Sequence, residues 1–419
     1  MLALRLARRA HPLVQLCRLL VAVASAGTGF LLLCTLGYAM AHPEAPAGSE
    51  LRLAWCLGPV AATVYLALAV ARTDPGTRPR SGLAAIGLGP ARLMALSALT
   101  TALSTSLGSL LALLAFLHLR GDLPGTPFDG PAAGFLAPDQ PLPLPAALTL
   151  LTVVPFVASA ASALALRPRD GRPRRARRHG GTPAASGADD ASEERASGEQ
   201  AAHPAGEAPA PGPRPAAGTS PSGLPWGVAA IALGFAVEAH AGDADGSPRF
   251  HLPGGLASGP AGVLAGWALT ALGLALAGPG LAYLCGRMLD SANPGAVRLL
   301  AGRGLQQEAG RIGRPLGVVC AVASGAYAMT APYAGARLSF GPLTTLGAAL
   351  VAGCALATLA TAAVEARQAR VGTIAALVRL GAPATLLRTA ALLRAGALTV
   401  VLMPLTWVVA ELAAMPLRG

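Results

Sequence analysis

Pro342-Leu-Thr-Thr-Leu-Gly-Ala-Ala-Leu-Val-Ala-Gly-Cys-Ala-Leu-Ala-Thr-Leu-Ala-Thr-Ala-Ala-Val364 contains no charged side chain, and Glu365, Arg367 and Arg370 follow directly. About 20 mostly apolar residues suffice for a helix to cross a bilayer, so this stretch reads as one crossing with a charged end. Working outward along the chain gives eight more. The full set runs roughly from Leu19 to Met40, Leu53 to Ala71, Leu93 to Leu117, Ala146 to Leu166, Leu224 to His240, Ala257 to Cys285, Leu316 to Tyr333, Pro342 to Val364 and Ala395 to Met415. The composition agrees, with 53% hydrophobic and 12% charged residues in 419, where soluble domains carry about 25% charge. The expected fold is an all-α, polytopic integral membrane helical bundle. The fifth stretch is the weakest, because Glu238 and His240 would each cost about 2.5 to 3.5 kcal/mol if charged at mid-bilayer. Both are expected near its outer end, within reach of water.

All 32 basic side chains are arginine, and no lysine occurs. This excludes chemistry that needs an amine, including a P-loop lysine or a Schiff base. The net charge of +12 points to the anionic inner face of a membrane rather than to nucleic acid. Arginines concentrate in cytoplasmic loops. With the N-terminus inside, 27 arginines fall on the inner side, leaving Arg52, Arg120, Arg249, Arg337 and Arg418 outside. That phase across nine crossings predicts a multi-pass plasma-membrane protein with a cytoplasmic N-terminus. Ala39-Met40-Ala41 also fits a secretory signal, but the preceding apolar run of about 20 residues exceeds the usual 7 to 15, so a retained anchor is expected.

The organisation reads as a first membrane half over 1–166, a linker over 167–224, a central two-span hairpin over 225–286 and a second membrane half over 287–419. The linker is rich in alanine, glycine, proline and serine, cannot bury a core and is expected to be disordered and cytoplasmic. Its basic start, with seven arginines between Arg167 and Arg178, suits anionic lipid. Cys17, Cys34, Cys56, Cys285, Cys320 and Cys354 lie in spans or at their inner ends, read as small packing residues, and form no metal-ligand spacing. His240, Asp243, Asp245 and His251 cluster at one outer boundary, and a solvated loop accounts for them as well as a cation site does.

Arg80-Ser-Gly-Leu-Ala-Ala-Ile-Gly-Leu-Gly-Pro-Ala-Arg92 follows the second span, and Arg370-Val-Gly-Thr-Ile-Ala-Ala-Leu-Val-Arg-Leu-Gly-Ala-Pro-Ala384 follows the eighth. Each has a short apolar-faced stretch ending in Leu-Gly, at Leu88-Gly89 and Leu380-Gly381, with Pro90 or Pro383 close behind. Glycine past a helix end takes the left-handed conformation that closes it, and proline blocks continuation. Each segment therefore reads as a short surface helix, a sharp stop and a new helix entering the membrane. Recurrence six crossings apart in one orientation makes a parallel internal repeat with two equivalent cytoplasmic knobs, which suits a soluble partner that is itself a dimer.

These segments and their flanking spans resemble the cytoplasmic turn of the FtsX-like permease domain, the membrane subunit of ABC transporters of the macrolide-exporter and lipoprotein-release type. The resemblance implies four, two and four spans, so the nine read here would be ten were the second half complete. It implies coupling helices that dock a separately encoded cytoplasmic ATPase, in agreement with the missing lysine. Arg78, Arg80, Leu83, Ile86, Leu88, Gly89 and Arg92 would form the first, and Arg367, Arg370, Ile374, Leu377, Arg379, Leu380 and Gly381 the second. The chain departs from the family in lacking large outer domains, since residues 41–52 and 334–341 are short. It also ends one span early, and Gly87 stands where an arginine commonly precedes Leu-Gly.

The expectation is thus a permease subunit, not itself an enzyme, with no cofactor and no bound metal, whose partners are the ATPase and the lipid bilayer rather than nucleic acid. The alternatives are a secondary transporter, which would need ionisable groups such as Glu238 or Glu411 in its spans, and a structural or signalling membrane protein.

Overall fold

The computed structural model describes residues 12–44, 46–73, 90–122, 141–167, 223–243, 249–251, 258–291, 295–330 and 341–418. Among them are nine helices: α1 Pro12–Ala41, α2 Pro46–Thr73, α3 Pro90–Arg120, α4 Leu144–Ala165, α5 Gly223–Asp243, α6 Ala261–Ser291, α7 Ala296–Thr330, α8 Pro342–Arg379 and α9 Ala384–Arg418. All nine are long and apolar enough to cross a membrane. The chain is an all-α, multi-pass membrane protein. Two three-residue strands, β1 Arg249–His251 and β2 Ser258–Pro260, pair antiparallel between α5 and α6. The expected linker falls almost wholly outside the described residues.

Four helices start at a proline, Pro12, Pro46, Pro90 and Pro342, where a fixed φ and a missing N–H cost nothing. Inside the spans, hydroxyls donate to carbonyls of the preceding turn, as Thr28 Oγ1 does to Ala24 O at 2.9 Å and Thr358 Oγ1 to Ala355 O at 2.7 Å. This satisfies polar atoms where no water is present.

The packing repeats as the sequence does. Helix α1 packs on α2 and α3, and α7 packs in the same way on α8 and α9. The two sets meet where α2 lies against α8. Along that seam, equivalent positions face each other. A Cβ on Gly347 would lie 3.5 Å from Trp55 Nε1, and Ala62 packs in one cluster with Cys354. Both pairs are 292 positions apart, the separation of Gly89 from Gly381. The first set has a further helix, α4, on α3, α2 and α1, sealed by Phe116, Leu33, Ala147 and Leu151.

Helices α5 and α6 form a hairpin beside α7. Gly227 and Gly234 on α5, and Gly266, Gly273 and Gly280 on α6, recur every seven residues. They bring the backbones so close that a Cβ on Gly273 would stand 2.7 Å from Ile231 N, and one on Gly227 2.6 Å from Ala277 N. Close backbone approach through small residues is the usual way helices associate in lipid.

The structure corrects two expectations. Glu238 is not near water: it is 1% exposed, and its side chain lies flat over Gly266, accepting a hydrogen bond from Thr270 Oγ1 at 3.4 Å. The reason is tertiary, since the space belongs to a glycine 28 residues later. Nor is 370–380 a separate surface helix. It continues α8 without a break, and α7 and α9 likewise begin well before their apolar runs. Good helix formers carry the backbone past the point where hydropathy ends in α8 and α9, whereas α7 extends through Gly302, Gly304, Gly310, Gly313 and Pro315.

Candidate functional site

Helix α8 has 38 residues, a length of about 57 Å at 1.5 Å per residue, against a hydrocarbon layer of about 30 Å. Its uncharged apolar run ends at Val364, so the last four turns continue past that run. No proline interrupts them, and the helix stops only where Gly381 takes a φ of 87°. Gly381 N donates to Val378 O and Ala382 N to Leu377 O, each at 3.0 Å. This crossed pair closes the helix in a Schellman turn. The tip is bare: Leu380 is 84% exposed and Val371, Ile374 and Val378 are exposed too, as are Arg367 and Arg379, while Leu377 is half-buried. An exposed apolar helix end with arginines alongside is the kind of surface patch that can mark an interaction site.

A collar of polar contacts holds the base of this tip to the rest of the bundle, and α7 is its centre. Arg370 presents Nε and Nη2 to the two carboxylate oxygens of Glu308 on α7. One turn earlier on α8, Glu365 approaches Arg311 at 4.0 Å. From α9, Arg394 Nη2 donates to Leu300 O at 3.0 Å, its guanidinium lying over Gly304. From α6, Asp290 Oδ2 accepts from Gln306 Nε2 at 2.6 Å. The contacts are unequal. Glu308 is only 7% exposed, so removing its partner strands a desolvated charge. Glu365 and Arg311 are wetter and worth at most about 1 kcal/mol.

Of the predicted docking residues, those of the second repeat are brought together at one helix end. Arg370 faces inward to Glu308, while Ile374, Arg379 and Leu380 face out. In the first repeat, Arg92 is exposed near the start of α3, and Arg78, Arg80, Leu83, Ile86, Leu88 and Gly89 lie outside the described residues. Since α2 and α8 run side by side, the second predicted segment ends one of two adjacent, equivalent helices, and the first follows the other in sequence. Sequence reasoning missed Glu308, Gln306, Asp290 and Arg394. No periodic signal pointed to them, since Leu299, Leu300 and Leu305 among the arginines of 298–314 do not share one helical face.

The six cysteines are free, and all but Cys17 are buried. Among the described residues no group of three or more His, Cys, Asp or Glu could hold a metal ion; Asp245 lies outside them. At the other end of the bundle, Tyr327 donates to Glu411 Oε1 at 2.5 Å, and Trp267 Nε1 donates to Ala413 O at 3.3 Å, joining α9 to α7 and α6.

No family profile, curated protein or solved structure matches this chain.

Proposed function

We propose that the chain is the membrane permease subunit of an ABC-type transporter, coupling a separately encoded, dimeric cytoplasmic ATPase to movement of its membrane helices. The observation that carries this reading is the bare end of α8: four helical turns past the uncharged apolar run, closed by Gly381, apolar at Ile374, Val378 and Leu380, and anchored through Arg370 to Glu308. An ATPase groove would receive this tip and, on the repeat's logic, a second from the segment between α2 and α3. In this reading the arginine-rich helix ends are cytoplasmic, the N-terminus is inside, and the membrane is the plasma membrane. In this reading the motor is another polypeptide, in keeping with the absence of lysine from this chain, and this chain performs no bond chemistry of its own.

The experiment is co-purification with an ABC ATPase, sought first among the genes that neighbour this one. Wild type is expected to retain the ATPase, and L380D with I374D to lose it while the protein stays folded. Retention by the double variant defeats the proposal.

A second reading, an ion-coupled secondary transporter, is favoured by Glu238, an ionisable group buried in a span, where such groups often mark a proton path. Dicyclohexylcarbodiimide, which modifies protonated carboxyls in lipid, tests it: labelling absent from wild type, or unchanged in E238Q, removes this reading.

A further inference from the structure

Among the described residues, Arg394 is a cation with no carboxylate of its own. It enters the collar from α9 half-buried and donates from Nη2 to Leu300 O at 3.0 Å, while its Nε is buried with no hydrogen-bond partner. The guanidinium lies over Gly304, where a Cβ would stand 2.5 Å from Nη2 and 2.6 Å from Cζ. Its seat therefore exists because that position carries no side chain. A partly desolvated charge held by one carbonyl is poorly compensated.

The carboxylate that would suit it is one turn further along. Leu300, Gly304 and Glu308 follow at four-residue spacing on one side of α7, a rise of about 6 Å per step. A helical side chain leans back over the turn before it, which carries the Glu308 carboxylate toward Gly304. Arg370 already holds both of its oxygens, and Arg394 is near enough for the two guanidiniums to repel each other. Two cations thus converge on one buried carboxylate from α8 and α9, and both helices pack on α7. The long, unbranched arginine side chain covers one helical turn by changing rotamer alone.

From this arrangement we propose that Glu308 has two alternative partners: Arg370, as in the structure, and Arg394, which steps from Gly304 to Glu308 when the end of α8 is drawn away. The exchange keeps the buried carboxylate paired in both states. The end of α8 is then released without stranding a charge, and its release is felt at α9. Whatever draws α8 away, an ATPase or another partner, the exchange is the same, so it stands or falls apart from the proposed function.

Thermal unfolding of the full chain in detergent tests this through Glu308 itself. In R370Q the carboxylate is expected to take Arg394, so removing it as well should bring no gain: R370Q with E308Q should melt at or below R370Q. Without the exchange, R370Q leaves a bare carboxylate in the collar, and E308Q would relieve it and raise the midpoint. In R370Q with R394Q neither cation remains. The loss should then exceed the sum of the two single losses, to the point of failure to fold, and adding E308Q should restore part of it. A midpoint of R370Q raised by E308Q, additive losses for R370Q and R394Q, or failure of R370Q itself to fold each overturns the proposal.

Discussion

Trp55 and Gly347 occupy equivalent places in the two repeats and stand opposite each other, with room for a Cβ at 3.5 Å from Trp55 Nε1. Such a pair lies close to an approximate two-fold axis, and only one of the two positions can be large. G347A should leave the midpoint of thermal unfolding in detergent almost unchanged. G347L forces its side chain into Trp55 and Leu31, and overpacking of this kind typically costs about 1 to 3 kcal/mol. Equal effects of the two substitutions would show that α2 and α8 do not meet here.

The same seam allows a covalent check. With the other five cysteines replaced by serine or alanine, A62C should cross-link to Cys354 under mild oxidation, since both lie in one packed cluster. A cysteine at Leu57, which is 66% exposed, should not. In the proposed transporter, the A62C cross-link should also block stimulation of the ATPase, and reduction should restore it.

Glu308 and Arg370 form the strongest link between the tip of α8 and the bundle. E308Q should destabilise the protein by about 1 to 3 kcal/mol, less than the 3 to 5 of a fully buried pair because Arg370 is partly wet. The exchange E308R with R370E should recover part of that loss. Chemical unfolding in micelles reads the stability. In the proposed transporter, ATPase association and ATPase stimulation, measured separately, would show whether the pair transmits motion as well as holding the tip.

Gly381 closes α8 at φ 87° with nothing within 4 Å of where a Cβ would sit. The penalty for a side chain is therefore backbone strain alone. G381V should cost about 1 to 2 kcal/mol and speed amide exchange over 371–379. G381N should do less harm, since asparagine tolerates this region.

The helices were legible because hydropathy changes sharply at places such as Val364–Glu365. Their true ends were not, because a charged helix extended beyond lipid has the same composition as a loop. Leu380-Gly381-Ala-Pro383 announced a stop, and the Schellman bonds are that stop. The collar was out of reach for a different reason: Glu308 and Arg370 are 62 positions apart, and no local pattern tells a glutamate that it has a partner. Glu238 misled in the opposite sense, since a carboxylate near a span's end reads as wet until Gly266 is found beneath it.

The glycines that recur every seven residues in α5 and α6 leave that hairpin without slack. Rotating either helix by one position would bring Leu233 or Leu272 into a seam that has no room for a methyl group. The hairpin therefore travels as one stiff plate, and the glycine contacts of Gly313 with Pro279 and of Gly317 with Leu274 fasten α7 to it. Any rearrangement of helices in this bundle would have to take place away from that plate, at contacts such as the α2–α8 seam, where Gly347 leaves room for a Cβ.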